Sequence, residues 1–182
     1  MRTEPKALAF DEFADELLVE KQPRALVILA CAKIDTQLRK LIETVLLPKA
    51  AKTKEPDELL DGDSPLSTFS SRIKMCRRLG LLDVDLLGAL DKLRDIRNQA
   101  AHWISFGVSD APLRDQVRNL RSLVESRRSY SLTVSRFLIE TELTEFESLQ
   151  AVLLTLCVLI ESVQCAADGK SLSRTTKPPK LN

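Results

Sequence analysis

Apolar residues recur every three or four positions along most of this chain, the spacing of one face of an α-helix. In the first half this pattern predicts a short helix over 11–20, a long one from Pro23 to about Pro48, and a third that ends at Gly80. A proline in the first helical turn loses no hydrogen bond, and a glycine followed by an apolar residue is a common C-terminal stop. A fourth helix is predicted over 85–103, with Asp83 or Asp85 as its N-cap.

Two further helices are predicted in the second half of the chain. Residues 110–112 form a cap followed by a first-turn proline, and 144–147 form a capping box that opens a long helix to about Ala167. Apolar residues surround most of that last helix, which is typical of a central helix or of an oligomer interface. We expect Gly169 to end it, and 169–182 to be a disordered basic tail.

The pattern as a whole predicts an all-α fold, an up-and-down bundle of about six to eight helices. Only 129–139 shows alternating apolar residues, so an extended segment is predicted there, with a helix as the alternative. A chain of 182 residues is long enough for one sizeable core, and we expect a single domain over 1–168.

Composition supports the helical class and reduces the number of possible functions. The chain is 44% hydrophobic but only 4% aromatic, with five glycines. A net charge of +1 excludes a bulk electrostatic attraction to nucleic acid. The four cysteines lie singly in apolar stretches, as core thiols of a cytoplasmic protein would. The longest apolar run, 151–160, is about half of a bilayer span, so no membrane helix is expected.

Several chemistries are excluded by residue type. The single histidine rules out metal sites with several histidine ligands, and the scattered glycines form no phosphate-cradling loop. We therefore expect neither a metal nor a cofactor.

The predicted helix over 85–103 carries the densest set of reactive side chains. On a helical wheel, Arg97 and Ile104 fall on the apolar stripe that should face the core, where an arginine needs an anion or carbonyl partner. Asn98 and His102 lie one turn apart on a second, polar stripe together with two aspartates, Asp91 and Asp95.

This region resembles two related groups of helical proteins. Residues 97–102 contain an arginine, a polar residue, three spacer residues and a histidine. This order resembles the motif of HEPN-type domains. Over 23–120, and most clearly over 60–107, the chain is similar to the mannitol-operon repressor family. The segments that carry this second resemblance, in order, are Leu60-Asp61-Gly62, Pro65-Leu66-Ser67-Thr68-Phe69-Ser70-Ser71-Arg72-Ile73, Leu79-Gly80-Leu81-Leu82, 96–102 and Ile104-Ser105-Phe106.

The repressor resemblance implies a protein that regulates transcription through a protein partner or a homo-oligomer, without reading DNA bases directly. The HEPN resemblance implies an alternative, a metal-independent endoribonuclease. In that case Arg97 would stabilise charge, Asn98 would orient the phosphate, and His102 would act as acid and base. Because one histidine supplies one proton site, this alternative predicts a homodimer. A third alternative is a pure interaction module that uses the last helix.

Two sets of residues are candidates for binding. Ser67, Ser70 and Arg72 are predicted to line a pocket beside the motif helix, or simply to form a capped helix start. A second set forms a basic row that could contact phosphates of nucleic acid, or is an ordinary solvated face. The members of this row that we select are Arg114, Arg118 and Arg121.

Overall fold

The structure, a computed structural model, describes residues 10–46, 57–138 and 142–174, with side chains up to 167. Within these ranges the chain forms seven α-helices and no strand, which confirms the predicted all-α bundle. The helices are α1 (Phe10–Val19), α2 (Pro23–Glu43), α3 (Phe69–Arg78), α4 (Val84–His102), α5 (Ala111–Arg121), α6 (Arg128–Phe137) and α7 (Glu145–Arg174).

Helix α7 is the central helix, and α1, α2, α5 and α6 all pack against it. Its residues from Leu149 to Ile160 are almost all buried, which explains why its sequence is apolar on every side. By length and composition alone the stretch 145–167 could cross a membrane, but 56% of its most apolar window is buried inside the bundle, as expected of a core helix.

Local signals in the sequence correctly predicted several helix ends. After α3, Gly80 adopts φ 63°, and the amides of Gly80 and Leu81 donate to the carbonyls of Arg77 and Cys76. These two bonds form a Schellman motif. Asp83 caps α4 by accepting from the Leu86 amide at 2.9 Å.

The structure decides one open alternative and corrects two helix ends. The helix alternative for 129–139 is confirmed over its described part, since α6 covers 128–137 and Tyr130 and Thr133, three positions apart, both face the core; residue 139 lies outside the described residues. Helix α2 ends at Glu43, before Pro48. Helix α7 continues beyond Gly169 to Arg174. The last part of the predicted tail, 175–182, lies outside the described residues, as do residues 47–56.

The cysteines are free thiols, and three of them, Cys31, Cys76 and Cys157, are buried as predicted. Cys165 is exposed near the end of α7, where fewer helices cover it, so the prediction of a fourth core thiol was wrong.

Candidate functional site

Helix α4 buries a stripe that begins at Leu86 and ends at Ala100. Arg97 is exposed, and the prediction that it faces the core was wrong. The reason is local: on that side α4 is not covered by a neighbouring helix but borders a cavity at the start of α3. Ile104 is also exposed, because α4 ends at His102 and the helical wheel no longer applies beyond it.

The cavity lies between the start of α3, α2 and the second half of α4, and its volume is about 460 Å³. Thr68 sets the direction of α3 through a capping box, in which its hydroxyl accepts from the Ser71 amide at 3.1 Å and the Thr68 amide donates to the Ser71 hydroxyl at 3.2 Å. The residues that line the cavity are Asp35, Ser67, Thr68, Phe69, Ser70, Arg94, Arg97 and Asn98.

Two predicted sets of site residues therefore meet at one place. Ser67 and Ser70 come from the segment before and at the start of α3, while Arg97 and Asn98 come from α4. An Arg97 guanidinium nitrogen lies 3.4 Å from the Asn98 side-chain oxygen. The sequence analysis placed the two serines in a pocket beside this helix; the packing of α3 on α4 adds that Arg97 and Asn98 are the residues of α4 that line it.

Arg72, which we predicted to line a pocket, is instead buried behind the cavity wall at 6% exposure. Its guanidinium donates to Asp35 at 2.6 Å and to the carbonyls of Leu66 and Leu60 at 2.9 and 3.1 Å. It thereby ties the segment before α3 to α2. Asp35 was missed by the sequence analysis; its second carboxylate oxygen is buried without a hydrogen-bond donor in the described part of the chain.

His102 is exposed at the last position of α4 and is not among the residues that line the cavity. Its ring forms no hydrogen bond within the described ranges. Asp91 and Asp95, which the wheel placed on its stripe, are paired with arginines: Asp91 with Arg77 and Arg94, and Asp95 with Arg94. The geometry thus joins Arg97 with Asn98 but gives no support to the ribonuclease alternative, which needs His102 beside them.

Arg24 is a residue that the sequence analysis missed. One guanidinium nitrogen donates to the Ala100 carbonyl at 2.7 Å, and the other donates to the carbonyls of Trp103 and Ile104 at 2.7 and 3.0 Å. It therefore binds the C-terminal end of α4, where a cation complements the helix dipole. A sequence signal did exist: an arginine in the first turn of α2 opposes the dipole of its own helix.

Two of the three arginines of the predicted basic row form ion pairs within the chain. Arg118 pairs with Glu145 at 2.9 Å, and Arg121 pairs with Glu125 at 3.0 Å. Arg114 has a buried guanidinium nitrogen, Nε, with no acceptor in the described residues. Contact of this row with nucleic acid stays a prediction, and these pairs weaken it.

The remaining chemistry is limited. No group of three or more histidine, cysteine or acidic side chains suited to a metal ion occurs among the residues that the structure describes. Burial raises the pKa of the Cys31 and Cys76 thiols to about 12, so both are protonated and unreactive near neutral pH.

Comparison with known proteins identifies the class of fold. No family model matches this chain, and no curated protein matches it. Solved structures share its fold, among them the following two. One is a possible transcriptional regulator, YggD, from Shigella flexneri 2a, with a TM-score of 0.62 and 13% identity over 89% of this chain and 98% of that one. The other belongs to the MtlR-HPr complex from Escherichia coli, with a TM-score of 0.60 and 18% identity over 85% of this chain and 98% of that one.

The chain thus has an MtlR-like helical fold. At these identities the likeness concerns the fold alone.

Proposed function

We propose that this chain is a cytoplasmic transcription-regulatory protein that acts by binding a protein partner or a second copy of itself, without reading DNA bases. Its fold is similar to that of a possible transcriptional regulator and to a chain solved in the MtlR-HPr complex. Those names concern the two neighbours, and they give the first partner to test, which is HPr.

The observation that carries the proposal is a group of exposed apolar residues at the end of α4. Ile104 is fully exposed and Trp103 is 41% exposed directly after the helix. Ile28 of α2 is also exposed, one turn after Arg24, whose guanidinium holds the carbonyls of Trp103 and Ile104. We call Ile28, Trp103 and Ile104 the α4 tip surface.

Such a surface has the features of a protein interface. Tryptophan is among the residues most enriched at the energetic centres of interfaces. Because Arg24 fixes the backbone at three carbonyls, little conformational entropy would be lost when a partner binds. Direct DNA binding is less favoured, because the net charge is +1 and Arg118 and Arg121 are already paired with carboxylates.

The test is a titration of the chain with HPr from its own organism, followed by calorimetry. Ile104→Asp should weaken binding about tenfold or more, because it places a charge in the contact. The matched control is Val84→Asp, an 80% exposed apolar residue at the opposite end of the same helix, which should bind as the wild type does. Light scattering of the same three proteins measures self-association.

Two results would contradict the proposal. If neither HPr binding nor self-association occurs, the partner mode is wrong. If binding occurs and both variants behave as the wild type, the α4 tip surface is not the contact. Transcript levels in a strain that carries Ile104→Asp then test whether the contact regulates transcription.

A further inference from the structure

Several donors at the α3–α4 cavity have no acceptor within the described part of the chain. The Ser70 hydroxyl makes no hydrogen bond there, whereas the neighbouring Ser67 hydroxyl donates to the Ser64 carbonyl at 2.8 Å. The Arg97 guanidinium has only the long 3.4 Å contact with the Asn98 side-chain oxygen. The Asn98 side-chain nitrogen has no acceptor in the described residues. These donors come from two helices and face one cavity.

The charges around the cavity leave one cation in excess. Asp35 is balanced by Arg72 at 2.6 Å. On α4, Asp91 and Asp95 are balanced by two arginines, Arg77 and Arg94. Arg97 has no carboxylate partner among the described residues. The local charge therefore favours an anion.

The start of α3 contributes to the same cavity. The amides of Phe69 and Ser70 belong to the first turn, whose N–H groups have no partner inside the helix. The partial positive charge at a helix N-terminus adds to the charge of Arg97. A volume of about 460 Å³ lies in the range of small-ligand pockets.

We propose that this cavity binds a phosphate group, carried either by inorganic phosphate or by a small phosphomonoester. Arg97 supplies the charge, and Ser70, Asn98 and the first-turn amides of α3 donate to the phosphate oxygens. A phosphate presents more acceptor oxygens than a carboxylate does, which suits donors that arrive from two sides. The site does not use the α4 tip surface, so it goes beyond the proposed function.

The experiment is calorimetric titration of the full chain with inorganic phosphate and with glycerol 3-phosphate, with glycerol as the uncharged comparison. Arg97→Gln should lower the affinity about tenfold or more, since a charged hydrogen bond is lost, and Ser70→Ala should lower it less. The matched control is Arg78→Gln, an exposed arginine at the end of α3 that is outside the cavity; its affinity should stay within about twofold of the wild type.

The outcomes distinguish the two sources. Tighter binding of glycerol 3-phosphate identifies a phosphomonoester, and equal binding identifies free phosphate; both support the proposal. The proposal is overturned if phosphate shows no saturable binding up to about 10 mM, since a Kd above that range is barely useful. It is also overturned if Arg97→Gln and Arg78→Gln change the affinity equally. Melting curves verify folding. A protein that binds HPr but no phosphate refutes this site without affecting the proposed function.

Discussion

Replacement of Arg24 by alanine is the perturbation whose effect follows most directly from the structure. The variant loses three hydrogen bonds from a charged donor to the carbonyls of Ala100, Trp103 and Ile104. It also loses the stacking of the guanidinium on Phe106, whose ring centre lies 5.8 Å away. The end of α4 then keeps the packing of Ala100 in the core but loses the side-chain donor of these three carbonyls.

The expected loss of stability is moderate. A hydrogen bond to a charged group contributes about 1.5–3 kcal/mol when buried, but the carbonyls of Trp103 and Ile104 lie in an exposed setting where water replaces the donor. We therefore expect a total of about 2 kcal/mol in the free energy of unfolding, which lowers Tm by about 4–8 °C for a domain of this size. Arg24→Lys should recover only part of this, because one ammonium group cannot span the three carbonyls.

The assay is urea unfolding, with Trp103 as the reporter because it is the only tryptophan in the chain. In the native state, Arg24→Ala should also increase quenching of Trp103 by iodide, since the loop after α4 loosens. Arg78→Ala, an exposed arginine without an ion pair in the described part, should change stability by less than about 0.5 kcal/mol. An Arg24→Ala protein as stable as Arg78→Ala would refute the reasoning.

Three further predictions concern single contacts. Thr68→Ala removes the capping box of α3 and should cost about 1 kcal/mol in urea unfolding, whereas Ser131→Ala, whose hydroxyl bonds only a carbonyl within its own helix, should cost less. The Arg127 guanidinium lowers the pKa of Asp83, so this pair stabilises the fold above the unfolded pKa of about 3.9, and its contribution is lost as the pH falls through the lower folded value. Asp83→Asn, which keeps a capping side chain, should thus cost less than about 1 kcal/mol at pH 7, because the pair is partly exposed, and less still in acid, where the Asp83 carboxyl becomes protonated; an equal cost at both pH values would contradict this. In the folded protein a thiol reagent should modify Cys165 rapidly and Cys31, Cys76 and Cys157 only on unfolding, and Cys165→Ser should abolish the rapid phase.

The site shows where inference from sequence stopped. Ser67 and Ser70 were expected in a pocket beside the motif helix, and Arg97 and Asn98 were selected on that helix, but the sequence did not show which of its residues face the pocket. Arg72 was assigned to a binding surface, although it is buried and donates to Asp35 and two carbonyls. The residue that binds the carbonyls at the end of α4 is Arg24, which is far away in the chain. Side chains that pair across helices depend on long-range packing, which periodicity does not encode.

By itself, the sequence determined the helical class and the helix ends at Gly80 and Thr144, because apolar spacing and capping chemistry act within a few residues. It left α7 as either a central helix or an oligomer interface, and the packing shows that it is central. Only the tertiary structure decided that Arg97 faces a cavity and that His102 lies outside it. The reason is physical: whether a position on a helix is covered depends on where its neighbours pack, and at Arg97 the neighbour of α4 is a cavity and not another helix.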